Sequence, residues 1–234
     1  MKLSFITALV FLFTVTTAFC QSSLLTPAQA DKVFNTAIKK EFGLDFPIYR
    51  VYQYNDKTGK SYIALTEQND GIDGKDTLHH KIKAVNVKIV DGKFQKQWEI
   101  NDFTSKIYLN ENEMERSIWF WTKYSSFTDI DNDGIIDPFI VYGSEGTNSY
   151  DDGRIKLLIF YKGEKIAIRH QNGILDHIRN TQVDPKFYTL PASVQGHVKA
   201  AMNKITEHRR GIFPVGWEKN MKNKKTKFSE SSSN

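Results

Sequence analysis

The sequence predicts an α+β, mainly β protein, with antiparallel meander sheets built from two similar units and flanked by an N-terminal and a C-terminal helix. Three observations carry that expectation. Short β-branched and aromatic runs fill residues 48–169. Asp-Gly and Lys-Gly pairs punctuate them, as tight hairpin turns require. Helical periodicity appears only on either side of this region.

Taken in order, the chain opens with an export address. Lys2 precedes an apolar run from Phe5 to Val15, followed by Thr16, Thr17, Ala18, Phe19 and Cys20. A charged start, an apolar middle and small residues at the end are the layout of a secretory signal over residues 1–20. The run is too short to span a bilayer, and no later stretch is long enough to do so. Lipid attachment at Cys20 is the alternative to plain cleavage at Cys20/Gln21, but the large Phe19 disfavours it. Plain cleavage removes the single Cys of the chain and with it thiol catalysis and disulfides. The mature protein is then expected in the periplasm, at the cell surface or secreted.

Thr26 precedes Pro27 with Gln29 at the third helical position, a capping box with an N1 proline, so a helix should begin there. Val33, Phe34, Ala37 and Ile38 continue it and Gly43 ends it. Strands are expected at Tyr49–Tyr54, Ser61–Thr66, Lys81–Val90, Lys93–Ile100, Ser117–Phe127, Asp137–Tyr142, Arg154–Tyr161 and Lys165–Arg169. A second helix should run from Pro191 to Arg209, where Val194, Val198, Met202 and Ile205 form one stripe. Five lysines and then serines follow Trp217, so residues 219–234 read as a disordered tail and 21–218 as one β-rich domain.

The strand region reads as two pseudo-repeats, about 48–100 and 117–169. Each carries a polar turn, an apolar strand, an Asp/Gly loop, a basic-apolar strand and a closing turn, Asp91-Gly92 in one and Lys162-Gly163 in the other. Two such units cannot close a propeller, so an open or sandwiched antiparallel sheet is expected.

Charge and motifs narrow the function. Thirty-two Lys and Arg against 27 Asp and Glu give +5, too mild and too interspersed for a nucleic-acid footprint. No HExxH, P-loop, GxSxG or Rossmann glycine pattern is present. The run Asp129-Ile130-Asp131-Asn132-Asp133-Gly134-Ile135-Ile136-Asp137 does carry chemistry. Carboxylates at positions 1, 3, 5 and 9, a glycine at 6 and the carbonyl of Ile135 at 7 can wrap oxygen ligands around calcium. The metal set is thus Asp129, Asp131, Asp133, Ile135 and Asp137, with calcium in a structural role. Ile140 stands where an EF-hand needs Glu, and the flanks read as strands, so the segment resembles the calcium hairpin of FG-GAP-type β-repeats. The alternative is an Asx-rich hairpin tip without metal. The first-half turn keeps only Asp56 and Gly59 and should hold no ion.

A second constellation follows the last expected strand. Arg154, Arg169, His170, Asn172, Asp176 and Arg179 are the ligand-binding candidates, since Arg forks and amides hold carboxylates, phosphates or sugar hydroxyls. The competing reading makes these arginines buried partners of Asp151, Asp152, Asp176 or Asp184. A glycan hydrolase using Glu145, Asp151, Asp152, His170 and Asp176 is a further alternative.

The run Asp129–Tyr142, with 151–156, 167–173, 179–184, 187–191 and Phe213-Pro214-Val215-Gly216-Trp217, resembles a family of exported bacterial proteins linked by name to surface polysaccharide biosynthesis. The resemblance implies a role in the cell envelope, in making or displaying lipopolysaccharide; it supplies a process and no catalytic residues to transfer. A calcium-stabilised, non-catalytic module binding a glycan or an envelope protein is the leading expectation. The hydrolase and a secreted adhesion or interaction module are the alternatives.

Overall fold

The computed structural model describes residues 22–105, 115–146 and 152–230. The expected signal peptide with Cys20, Asp151 of the hydrolase set and the serines 231–233 lie outside them.

A short strand β1 (Ser23–Leu24) leads into helices α1 (Pro27–Val33) and α2 (Thr36–Glu41). One helix was expected here. Asn35 breaks it, because its side chain accepts from the N–H of Ile38 and starts a second helix while Phe34 is fully buried. Strands β2 (Ile48–Asp56) and β3 (Gly59–Glu67), a small hairpin of β4 (Gly71–Asp73) and β5 (Asp76–Leu78), then β6 (Lys81–Val90) and β7 (Lys93–Phe103) follow. They form an antiparallel sheet in the order β1-β2-β3-β6-β7, with β4 and β5 paired apart.

The second sheet contains β8 (Ser117–Phe120), β9 (Ser126–Thr128), β10 (Asp137–Glu145), β11 (Arg154–Tyr161), β12 (Glu164–Gln171), β13 (Asn180–Val183) and β14 (Lys227–Ser229). Its order is β14-β13-β12-β11-β10-β8, with β9 also on β10. Helix α3 (Ala192–Glu207) and the short α4 (Trp217–Lys222) separate β13 from β14. The mainly β, antiparallel fold with helices at both ends is thus the observed one. Each sequence unit forms its meander in a separate sheet. Asp91-Gly92 and Lys162-Gly163 turn the corresponding hairpins with positive φ at both residues.

Two expectations are corrected. Ser117–Phe127 is not one strand, because a turn at 122–124 divides it into β8 and β9, both of which pair with β10. The tail from 219 is ordered as far as Glu230, because Trp217, Met221 and Phe228 are buried while the lysines between them face outward.

The layers stack helix, sheet, sheet, helix. Phe34, Ala30 and Leu44 pack on Val51, Tyr62, Ala64 and Val85 of the first sheet. Ile63, Leu65 and Ile100 from its other face meet Phe120, Ile140, Leu158 and Phe160 of the second, where Trp98 stacks on Phe160 at 3.8 Å. Val194, Val198, Met202 and Ile205 close the far side against Ile155, Leu157 and Ile168. Both faces of the inner strands are therefore apolar, which is why β3 and β10 read as continuous hydrophobic runs rather than alternations. Among the described residues no helix is long and apolar enough to cross a membrane.

Candidate functional site

Strand alternation places two rows of polar side chains on the inward face of the second sheet. One row is Lys156, Arg169, Gln182 and Lys227, and the next is Arg154, Gln171, Asn180 and Ser229. Leu158, Phe160 and Ala167 share this face and are buried in the sandwich, yet Arg169, Gln182 and Lys227 are exposed. The face therefore runs out from under the first sheet. There it floors a cleft of about 670 Å³ lined by Arg154, Lys156, Arg169, Gln171, His177, Asn180 and Gln182, among others.

The cations of this face are not equivalent. Arg154 is bidentate on Glu115 and donates to the carbonyl of Phe103 at 2.7 Å, with Asp102 at 3.7 Å. Lys156 reaches Asp102 at 2.5 Å. Burial would raise the Asp102 carboxyl, but Lys156 and Arg154 outweigh it and hold the group below the usual carboxylate range. The same acids raise the Arg154 guanidinium despite its burial. Arg169 has no acidic partner among the described residues. It stands between Lys156 and Gln182 as a charged fork open to the cleft.

The remaining ligand-binding candidates serve the fold. His170 and Asn172 are buried; His170 Nδ1 is 3.0 Å from the Thr181 hydroxyl, and the Asn172 carbonyl oxygen takes the N–H of Ile212. Burial pushes the His170 imidazole down to about 4, so it is neutral at pH 7. Arg179 is 7% exposed and clamped between Asp176 and Glu230, with Glu230 at 2.8 Å. Buried Arg179 pairs with Asp176, as the buried-partner reading expects; Arg169 departs from that reading, and Arg154 pairs with Glu115 and Asp102, acids it did not name. Of the hydrolase set, Glu145 bonds Arg116 at 3.2 Å, Asp176 sits on Arg179, His170 is in the core, and Asp152 lies beside Gly146, next to Glu145. Sequence reasoning missed Lys156, Asp102 and Glu115. The alternation Arg154, Lys156 along one strand was the available signal for Lys156, whereas nothing local marks the two acids.

The acidic loop lies at β9–β10. Asp129 accepts from the N–H groups of Asp133 and Gly134 at 3.0 and 2.7 Å, and Asp137 accepts from that of Ile130 at 3.0 Å. Asn132 and Gly134 take the left-handed conformations that close the loop. One carboxylate oxygen from each of Asp129, Asp131 and Asp137 lies within 4.8 Å of the others. Oxygens bound at 2.3–2.6 Å to one calcium are at most about 5 Å apart, so the spacing of these three is compatible with a shared cation. Asp133 instead meets Lys162 at 3.2 Å and the N–H of Ile135 at 2.9 Å. Burial, reinforced by Asp131, Asp133 and Asp129, pushes the Asp137 carboxyl up to about 7.

The first-half turn, expected to hold no ion, docks on this loop. Asp56 accepts from the N–H of Ile136 at 3.1 Å, the Lys57 N–H donates to the Gly134 carbonyl at 3.0 Å, and the Lys57 ammonium donates to the Asp133 carbonyl. No model of a known protein family, no characterised protein and no solved structure matches the chain.

Proposed function

We propose that this is a non-catalytic binding protein exported to the cell envelope, which takes an acidic glycan on the open face of the second sheet in support of surface polysaccharide assembly. The observation that carries the reading is Arg169: an exposed guanidinium without an acidic partner among the described residues, set among Gln171, Asn180 and Gln182 in a cleft of about 670 Å³. A fork of donors takes a carboxylate or phosphate, and the amides supply donors and acceptors for sugar hydroxyls. Arg154 and Lys156 are neutralised and held in place by Glu115 and Asp102, which leaves Arg169 as the unpaired charge of the cleft floor among the described residues. The envelope location follows from the signal-like residues 1–20 and from the family resemblance. Calcium bound by Asp129, Asp131 and Asp137 is the structural cofactor of this reading, and the three converging oxygens support it.

Calorimetric titration with an oligogalacturonate and with a neutral oligosaccharide of equal length tests the ligand class. Binding of the acidic chain is expected to weaken at least about tenfold in Arg169→Gln, since a hydrogen bond to a charged group contributes about 1.5–3 kcal/mol. The melting temperature should be unchanged. Equal affinity in wild type and variant would overturn the reading. Mass spectrometry of the exported protein should give an N-terminus at Gln21; a chain beginning at Met1 would refute export, and a lipidated Cys20 would replace plain cleavage.

A further inference from the structure

A second cleft, of about 470 Å³, opens on the other face of the second sheet, at its β8 edge beside the C-terminal end of α3. Tyr49, Trp119, Trp121 and Tyr124 wall it, and Lys123, His208 and Arg210 line it with them. The rings form a curved series. Trp119 and Trp121 lie 6.1 Å apart, Trp121 and Tyr124 6.1 Å, and Tyr124 and His208 5.6 Å. The Tyr124 hydroxyl lies 3.0 Å from His208 Nδ1, which ties the loop after β8 to the end of α3.

Trp121 is fixed as part of the cleft wall: it is 6% exposed, and its indole Nε1 is buried without an acceptor among the described residues. A Cβ at Gly143 would fall 2.6 Å from the Trp121 ring, so the strand gives up a side chain and the indole lies against it.

Aromatic faces take the C–H face of a sugar ring, and the tyrosine and histidine groups take hydroxyls. Aromatic walls alone could hold an organic cation, but Lys123 and Arg210 repel one and attract an anion. We infer that this cleft is a second saccharide site, separate from the Arg169 face, for a sugar ring bearing a carboxylate or phosphate. The ligand class rests on the glycan reading above, whereas the location rests on this geometry alone.

Tryptophan emission carries Trp119 and Trp121 of this cleft, with Trp98 and Trp217 as background away from it. Titration with oligogalacturonate should give a saturable change that galacturonic acid and a hexose phosphate, each as a monosaccharide, reproduce at higher concentration. Lys123→Gln combined with Arg210→Gln should weaken it by about tenfold or more, as loss of charge-assisted bonds does, and Arg169→Gln should leave it unchanged. Tyr124→Ala should weaken it too; if that variant misfolds by circular dichroism, the exposed Lys123→Gln alone still decides. Absence of a saturable change overturns the inference, and so does an equal response to a neutral oligosaccharide or to inorganic phosphate. Loss of the signal in Arg169→Gln but not in the cleft variants would put the ligand on the other face. Failure of the Arg169 calorimetry with an intact emission change would instead remove the first site and keep this one.

Discussion

Gly143 and His170 lie on either side of Ile155 in the second sheet, two strands apart, and show how single residues set the limits of this fold. A methyl group at position 143 would meet the Trp121 ring at 2.6 Å and the Arg154 carbonyl at 2.7 Å. Neither contact is with the free end of a flexible chain, so Gly143→Ala should cost about 1–3 kcal/mol by overpacking. A lowered melting temperature with shifted tryptophan emission is the expected result, and a wild-type melt would contradict it. His170 acts through protons. Its folded value is about 4 against an ordinary 6.5, so between those limits the unfolded chain binds a proton that the folded one refuses. Stability is therefore full above about pH 6.5 and falls toward pH 4, by up to about 3 kcal/mol for this group. The half-buried His197, also lowered by burial, acts in the same direction. Thermal melts at about pH 7 and pH 4.5 should show the loss, and His170→Gln should reduce but not abolish it.

At the scale of elements, the C-terminal segment is where sequence and structure part. Lys219, Lys222, Lys224, Lys225 and Lys227 give it the composition of a solvated tail, yet Met221 is 1% and Phe228 5% exposed. Two apolar residues seven apart are too few for a periodic signal, and what orders them is the edge of β13, to which Phe228 pairs opposite Thr181. Phe228→Ala should cost about 3–5 kcal/mol, an effect that a disordered tail could not produce; an unchanged denaturation midpoint would restore the disordered reading. Glu230 adds a link to Arg179 that spans 51 residues and no local pattern could reveal. By contrast the capping box at Thr26, the α3 stripe and the Asp91-Gly92 and Lys162-Gly163 turns were legible, because each is fixed by neighbours within a few residues. The same division runs through the candidate site. Arg169 and the amides beside it stand out in the sequence, but only strand pairing separates exposed Arg169 from buried His170 one residue later.

Across the whole molecule, the two sheets are held by more than their shared apolar layer. At one place Glu67 of β3 accepts from the N–H of Phe120 in β8 at 2.9 Å, with His79 at 3.6 Å. At another, Arg154 and Lys156 of the second sheet reach Asp102 of the first. The third link is the β2–β3 hairpin on the acidic loop, where Asp56 and Lys57 bond the loop backbone. This third link makes loop charge a matter of global stability. Lys57 and Lys162 neutralise part of the acid from one side, while Asp129, Asp131 and Asp137 face one another on the other. An ion there binds the folded chain and not the unfolded one. At about 1 mM calcium and a dissociation constant near 0.1 mM the gain is about 1.4 kcal/mol, or a few degrees in melting temperature for a chain of this size. Asp131→Ala should remove most of that gain, because it takes away one of the converging oxygens. Lys57→Gln should lower the calcium concentration at which the gain appears, because it removes a competing positive charge. Equal melting temperatures in calcium and in chelator would overturn the calcium assignment and leave the lysines as the loop's sole counter-charge among the described residues.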